Sequence, residues 1–273
     1  MATVTKAIIP VAGWGTRRLP ITKAIEKCML PVGNRPIVDY VVRDCIKAGI
    51  TEIFFVVNRG STQLRQYYSE NQQLNEFLQI HQKQDLLELA HPPKSVFFHF
   101  IEQDPNQKYG TAVPVAAAVS QLKKGDSAAV LMGDDFVYNH DGSSELARLI
   151  AATPEGGNSL MSTENNEEDL SRYGVIDFNE DTGAFEKIVE HPPAGQAPSN
   201  QINISKYVLN YDMLLRIYNY CQLDISGEYF IIDPISQYVL DGGVLTVHKA
   251  QGEYMDCGNV HGWLHANQTI VNR

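Results

Sequence analysis

Ala7-Ile8-Ile9-Pro10-Val11-Ala12-Gly13-Trp14-Gly15-Thr16-Arg17-Arg18 decides the reading of this chain. A strand-length apolar run breaks into glycines and then into paired cations, the pattern of a buried strand whose following loop meets a ligand. Residues 52–57, 96–101 and 128–132 are similar short runs, rich in β-branched and aromatic side chains, and read as buried parallel strands. Between the first two, residues 36–48 open on a proline, carry Ile37, Tyr40, Val41 and Ile46 near helical spacing, and stop at Gly49. That is a β-loop-α-β unit. Residues 63–89 read as one long crossover helix on Leu64, Tyr67, Tyr68, Leu74, Phe77, Leu78, Leu86 and Leu87. The expected class is α/β, a Rossmann-like, mostly parallel central sheet flanked by helices. After Met132 the pattern turns α+β. Turns fill 139–144, a helix is predicted over 144–152, and shorter strands over 174–178 and 185–189. A proline-rich loop at 191–198 is followed by renewed strand and helix signals from Lys206. The chain is expected to be a single domain over 1–273, with halves meeting softly near residue 135.

The chain has 273 residues, 44% hydrophobic and 20% charged, which excludes collagen-like and low-complexity disorder. Its net charge of −10 disfavours generic binding to nucleic acid or to an anionic membrane. No apolar run approaches the roughly 20 residues of a membrane span, and the N-terminal run ends in glycines and arginines without a signal-peptide cleavage pattern. Four cysteines at 28, 45, 221 and 257 form no CxxC pair; a reducing cytoplasm is the expected compartment.

Against that acidic whole, residues 17–35 carry five basic residues (Arg17, Arg18, Lys23, Lys27, Arg35) and one acid, Glu26. Something anionic is expected there, because glycines let backbone N–H groups approach phosphate oxygens and cations stabilise charge built up in phosphoryl transfer. Gly13-x-Gly15 is not the dinucleotide GxGxxG, since Arg18 takes the third glycine's place, nor is it a Walker A loop. Asp134, just past a predicted strand end, suits a hard cation such as Mg²⁺ bound to phosphates; taken alone, Asp134-Asp135 reads as a turn. Cys257, His261 and His265 have one-face helical spacing, but ordinary packing is the stronger reading, as no fourth zinc ligand is evident. Trp14 reads equally as a cover over a nucleotide or a lid on the core.

The order of these residues, Gly13-x-Gly15-Thr16-Arg17 followed by Pro20, Thr22, Lys27 and Leu30-Pro31, resembles the signature of sugar-1-phosphate nucleotidylyltransferases. Thr22-Lys23-Ala24-Ile25-x-Lys27-x-Met29-Leu30-Pro31 looks most like the bacterial UTP–glucose-1-phosphate uridylyltransferases, and the likeness runs through Gln103, Gly133-Asp134-Asp135, Tyr173-Gly174-Val175, Val189-Glu190-x-Pro192 and Asp256-Cys257-Gly258-Asn259. The resemblance implies Mg²⁺-dependent transfer of a uridylyl group from UTP to glucose 1-phosphate, by a homodimer or homotetramer. It implies that Ala12, Gly13, Gln103 and Gly110 serve the base side of the nucleotide and Gly15, Thr16 and Arg17 the triphosphate. Arg17, Lys27 and Asp134 would be catalytic, and Asp134 and Asp256 would hold the metal. Gly174, Glu190, His191 and Lys206 would meet the sugar phosphate. Residues 63–89 match an insert that thymidylyltransferases lack, which favours UTP over dTTP.

The departures are specific. Glu26 and Cys28 stand where the family shows Pro and Glu, Lys108 and Thr111 where Gly and His are usual, and Ser205-Lys206 where Gly-Arg is usual. His191 takes the lysine position of Val-Glu-Lys-Pro, and a neutral imidazole cannot replace that charge. Compensation by Lys206, another sugar phosphate, or a weakened paralogue remain open. So do two other readings: thymidylyl transfer, and a non-catalytic nucleotide-sugar sensor.

Overall fold

Strand β1 (Lys6–Pro10) sends Ile8 into the core on one face of the sheet and Ala7 and Ile9 into the core on the other, all fully buried. A strand covered on both sides needs apolar residues throughout, hence the unbroken run at its origin. The computed structural model describes residues 4–104, 108–167 and 169–272. Beyond β1 the loop makes single 3₁₀ turns at Thr16–Arg18, Ile21–Lys23 and Lys27–Met29. A small ladder of β2 (Pro31–Val32) and β3 (Arg35–Pro36) leads to α1 (Ile37–Lys47) and β4 (Glu52–Asn58).

The segment expected as one helix over 63–89 is instead broken into α2 (Gln63–Tyr67), α3 (Gln72–Ile80) and, after a 3₁₀ turn, α4 (Leu87–Ala90). The Asn71 side chain accepts the Leu74 N–H at 3.0 Å and restarts the helix as α3. Gln82 then takes a left-handed φ of 55° just past its end. Apolar spacing survives such breaks; only the caps show them.

There follow β5 (Phe97–Gln103), α5 (Ala112–Val119), β6 (Ser127–Leu131), β7 (Phe136–Tyr138) and α6 (Glu145–Ala152). The second half adds β8 (Asn158–Glu164), β9 (Gly174–Phe178), β10 (Phe185–Glu190) and β11 (Gln201–Asn210). It closes with α7 (Tyr211–Tyr220), α8 (Ile232–Leu240), β12 (Leu245–Lys249), β13 (Glu253–Met255) and α9 (Val260–Val271). Strands β8 and β12 escaped the sequence reading. Asn158, Ser159 and Ser162 of β8 are buried and bonded within the fold, as in Ser162 Oγ to Gln201 Oε1 at 2.8 Å, so an apolar-run criterion passes over them.

Among the described residues one nine-stranded sheet runs β10-β9-β11-β6-β1-β4-β5, with β8 on β11 and β12 on β8. Strands β6, β1, β4 and β5 are parallel; β11 joins β6 antiparallel. Helices α1, α6 and α9 share one core layer and α5, α7 and α8 the other, so the class is the α/β one expected. From β1 the chain goes first to β4 and β5 on one side and only then to β6 on the other. The carboxyl ends of β1 and β6 therefore flank a topological switch point, where open α/β sheets bind ligands.

Candidate active site

The loops leaving β1 and β6 meet because Gly133 has no side chain. A Cβ there would stand 2.4 Å from Val11 Cγ1, and the Gly133 N–H donates to the Pro10 carbonyl at 3.4 Å. This contact delivers Asp134 to the residue 11–30 loop, where its carboxylate forms an ion pair with the Lys27 ammonium. Burial pushes the Asp134 carboxyl up, but Lys27, by charge and hydrogen bond, outweighs it and holds the group below the usual range. The loop is turned by Gly15 at φ 64°, whose carbonyl accepts from Thr22 Oγ1 at 2.8 Å. The Lys27 methylenes lie only 3.1 and 3.3 Å from where a Gly15 Cβ would sit, so any larger residue would push Lys27 aside.

Asp256 arrives from the opposite half of the chain. Strand β13 pairs antiparallel with β7, and the Tyr254 hydroxyl donates to Asp135 Oδ2 at 2.9 Å, tying the segments that carry Asp134 and Asp256. Asn259 caps α9 with its side chain, Oδ1 accepting from the Gly262 N–H at 2.9 Å while Nδ2 donates to Asp256 Oδ2 at 2.7 Å. The position a Gly258 Cβ would take is 2.9 Å from Asp256 Oδ1 and 3.7 Å from Lys27 Nζ. Two carboxylates and one ammonium thus converge at the switch point. Their hard oxygens suit Mg²⁺, which takes one or two protein carboxylates and completes its shell with water and substrate phosphate. A cleft of about 650 Å³, lined by Tyr173, Tyr254, Asp256 and Asn259 among others, opens beside them.

Of the five cations in residues 17–35, three have protein partners. Arg18 is buried and donates to the carbonyls of Cys257 and Asn259 at 3.1 and 2.7 Å, with its guanidinium 5.0 Å over Trp263. Arg35 pairs with Asp39 and Lys27 with Asp134. Arg17 and Lys23 are exposed. Ala12 is half-buried, and Gly13 and Thr16 are exposed, beside Arg17 on the same loop. Trp14 is 69% exposed, which removes its reading as a lid on the core. Gln103 ends β5, in register with Asn58 of β4.

Of the residues expected to meet the sugar phosphate, Glu190 and Gly174 face one another across β10 and β9; a Cβ on Gly174 would meet Glu190 Oε1 at 2.8 Å. Burial raises the Glu190 carboxyl, with His191 opposing. His191 has a left-handed φ of 50°, its N–H bonded to the Tyr173 carbonyl at 3.1 Å and its Nδ1 2.9 Å from the Ser171 carbonyl. A carbonyl only accepts, so Nδ1 is the donor in that contact. Lys206 is buried and ion-paired to Asp135; compensating for His191 would require giving up that pair. Asp135 is pushed up to about 6, by burial first, with Lys206 opposing and Asp134 adding to the rise.

A family model described as nucleotidyl transferase matches residues 6–273. The chain is 32% identical to the UTP–glucose-1-phosphate uridylyltransferase of Haemophilus influenzae, over 96% of this chain and 91% of that one. It is 29% identical to the enzyme of the same name from Pseudomonas aeruginosa, over 96% and 94%. The structure of a UTP-bound UGPase from Acinetobacter baumannii superposes with a TM-score of 0.87 at 30% identity, covering 98% of this chain and 93% of that one. The chain belongs to the nucleotidyl transferase family.

Several departures from that family's signature acquire physical roles. Lys108 bonds the carbonyls of Cys221 and Leu223, the first at 3.2 Å. Thr111 Oγ1 accepts from the Ile231 N–H at 3.0 Å. Both hold the segment against which Gly110 lies, where a Cβ would come within 2.3 Å of the Tyr229 carbonyl oxygen. Ser205 takes φ 52°, a conformation natural to the family's glycine, within an irregularity of β11 between Asn203 and Lys206. The zinc spacing is set aside: Cys257 is buried outside α9 and His265 bonds Glu253 at 2.8 Å. Among the described residues no group of three or more His, Cys, Asp or Glu side chains could hold a metal. The sequence reading missed Tyr254 and Asn259 as organisers of the carboxylates. The Asn before a helical run was a visible capping signal; Tyr254 had none.

Proposed function

We propose that this protein transfers the uridylyl group of UTP to glucose 1-phosphate, forming UDP-glucose and pyrophosphate. The observation that carries the reading is the convergence of Lys27, Asp134 and Asp256 at the β1/β6 switch point, in a chain similar along nearly its whole length to enzymes named for that reaction. The halves divide the work, residues 1–135 taking the nucleotide and 136–273 the sugar phosphate. Gln103, with Ala12 and Gly13, selects the base; Gly110 shapes that side by its close approach to Tyr229. Gly15, Thr16 and Arg17 take the triphosphate. Gly174 and Glu190 take the hexose hydroxyls, and His191, with Lys206 as the further candidate, the sugar phosphate.

A phosphate oxygen of the sugar phosphate attacks the α-phosphorus in line with the departing pyrophosphate, with no covalent enzyme intermediate. Arg17 and Lys27 stabilise the charge that grows on the transferring phosphoryl group, and orientation supplies much of the rest. Asp134 and Asp256 would hold Mg²⁺, which when bound neutralises phosphate charge and orients the triphosphate. The same resemblance implies a homodimer or homotetramer, and four free, buried cysteines fit a reducing cytoplasm.

Pyrophosphate release by the purified protein with UTP, Mg²⁺ and glucose 1-phosphate tests the reading. Absence of release with every pairing of nucleotide and hexose 1-phosphate refutes it and leaves a binding role, whereas faster turnover of dTTP moves it to thymidylyl transfer. His191 in the lysine's place favours trying other hexose 1-phosphates in the same assay.

A further inference from the structure

Glu26 directly precedes Lys27, and its carboxylate reaches a segment 35 to 37 residues away in sequence. Oε1 accepts from the backbone N–H groups of Thr62 and Gln63, both at 3.0 Å, and Oε2 accepts from Ser61 Oγ at 2.8 Å. Gln63 returns the contact: its Oε1 accepts from the Glu26 N–H at 2.9 Å and its Nε2 donates to the Ala24 carbonyl at 2.9 Å. Thr62 and Gln63 begin α2, whose first N–H groups have no partner within the helix. The Thr62 side chain does not cap them. The cap comes instead from Glu26, with the negative charge that a helix start favours.

The other side of Lys27 is fixed as well. Cys28 is 2% exposed in the core, and Gly15 bounds the first methylenes of Lys27. A lysine side chain is long and flexible, so where its ammonium rests depends on how firmly its backbone is held. We propose that the reciprocal Glu26–Gln63 clamp positions Lys27 opposite Asp134, making the start of α2 a positioning element for nucleotidyl transfer. Glu26 and Gln63 act through Lys27 and touch no substrate. The proposal rests on the role given to Lys27 above, and it explains a residue that departs from the family's signature.

The test uses Glu26→Ala, Gln63→Ala, their double variant and Glu26→Gln. The last can keep the geometry, its amide oxygen accepting the Thr62 and Gln63 N–H groups and its NH2 donating to Ser61 Oγ. Each alanine variant should lose about tenfold in kcat at saturating substrates with KM for UTP within about twofold. The double variant should be no worse than the weaker single, because both cut one clamp, and Glu26→Gln should recover most of the rate. In the unliganded proteins, hydrogen–deuterium exchange over residues 22–30 should quicken in the alanine variants and not in Glu26→Gln, with β1 and β4 unchanged. Unaltered kcat, an equal loss in Glu26→Gln, multiplying losses in the double variant, or unaltered loop exchange would each overturn the clamp. A wild-type protein that releases no pyrophosphate defeats the uridylyl reading instead, and the exchange measurement then decides the clamp by itself.

Discussion

Glu145→Gln should cost the fold about 3 kcal/mol at neutral pH, and that cost should fade in acid. The Glu145 side chain is fully buried at the start of α6. Oε1 accepts from His248 Nε2 at 3.2 Å and the Gln251 N–H at 3.1 Å; Oε2 accepts from the Gly252 N–H at 3.1 Å and Arg148 Nη1 at 2.8 Å. Burial by itself would raise this carboxyl, but these donors more than offset it and hold it at about 2, against an ordinary value of 4.5. Each unit of difference is worth about 1.4 kcal/mol. Because the folded value is the lower, the stabilisation is complete above the unfolded value and is lost as pH falls toward the folded one. Linkage gives about 3 kcal/mol at pH 5, about 2 at pH 3.5 and about 1.5 at pH 3. A glutamine would turn an NH2 toward donors that need an acceptor, so it cannot restore the site. The measurement is urea unfolding of wild type and variant between pH 5 and 3. The gap should shrink by about half over that window, and a Tm deficit of about 6 °C should accompany it at pH 6. A gap below about 1 kcal/mol at pH 5, or one that does not change down to pH 3, would show that this carboxylate is not held as described.

Lys27→Ala should lower kcat by about 10²-fold or more and leave KM for UTP far less changed, since its charge is assigned to the transition state; a change confined to KM would refute that. Asp134→Ala and Asp256→Ala should each abolish Mg²⁺-dependent turnover while circular dichroism remains that of the wild type, and near-normal kcat in either folded variant would remove that residue from the site. His191→Lys should lower KM for glucose 1-phosphate several-fold at pH 8, because a long, flexible side chain then brings a fixed ammonium charge to that position. Equal KM values for the two proteins at pH 8 would mean that His191 does not meet the phosphate.

Residues 7–18 were enough to place β1 and its glycine loop, because a strand buried on both faces has to be apolar throughout and glycines followed by cations mark where it ends. Local order also marked Lys27, Asp134 and Asp256, and the resemblance gave them roles. What it could not mark was partnership. Arg17 and Arg18 are neighbours with the same side chain, yet one is exposed and the other buried against carbonyls 239 and 241 positions away. Asp135 and Lys206, 71 residues apart, meet only because β11 lies antiparallel beside β6. Strand β8 exists because β11 and β12 pair with its backbone, with Ser162 bonded to the distant Gln201, and the helix expected over 63–89 is three because caps, not apolar spacing, end helices. Composition and periodicity record which face a residue needs to bury. Charge pairing and hydrogen bonding depend on which segments come within 3 Å, and only the tertiary fold decides that.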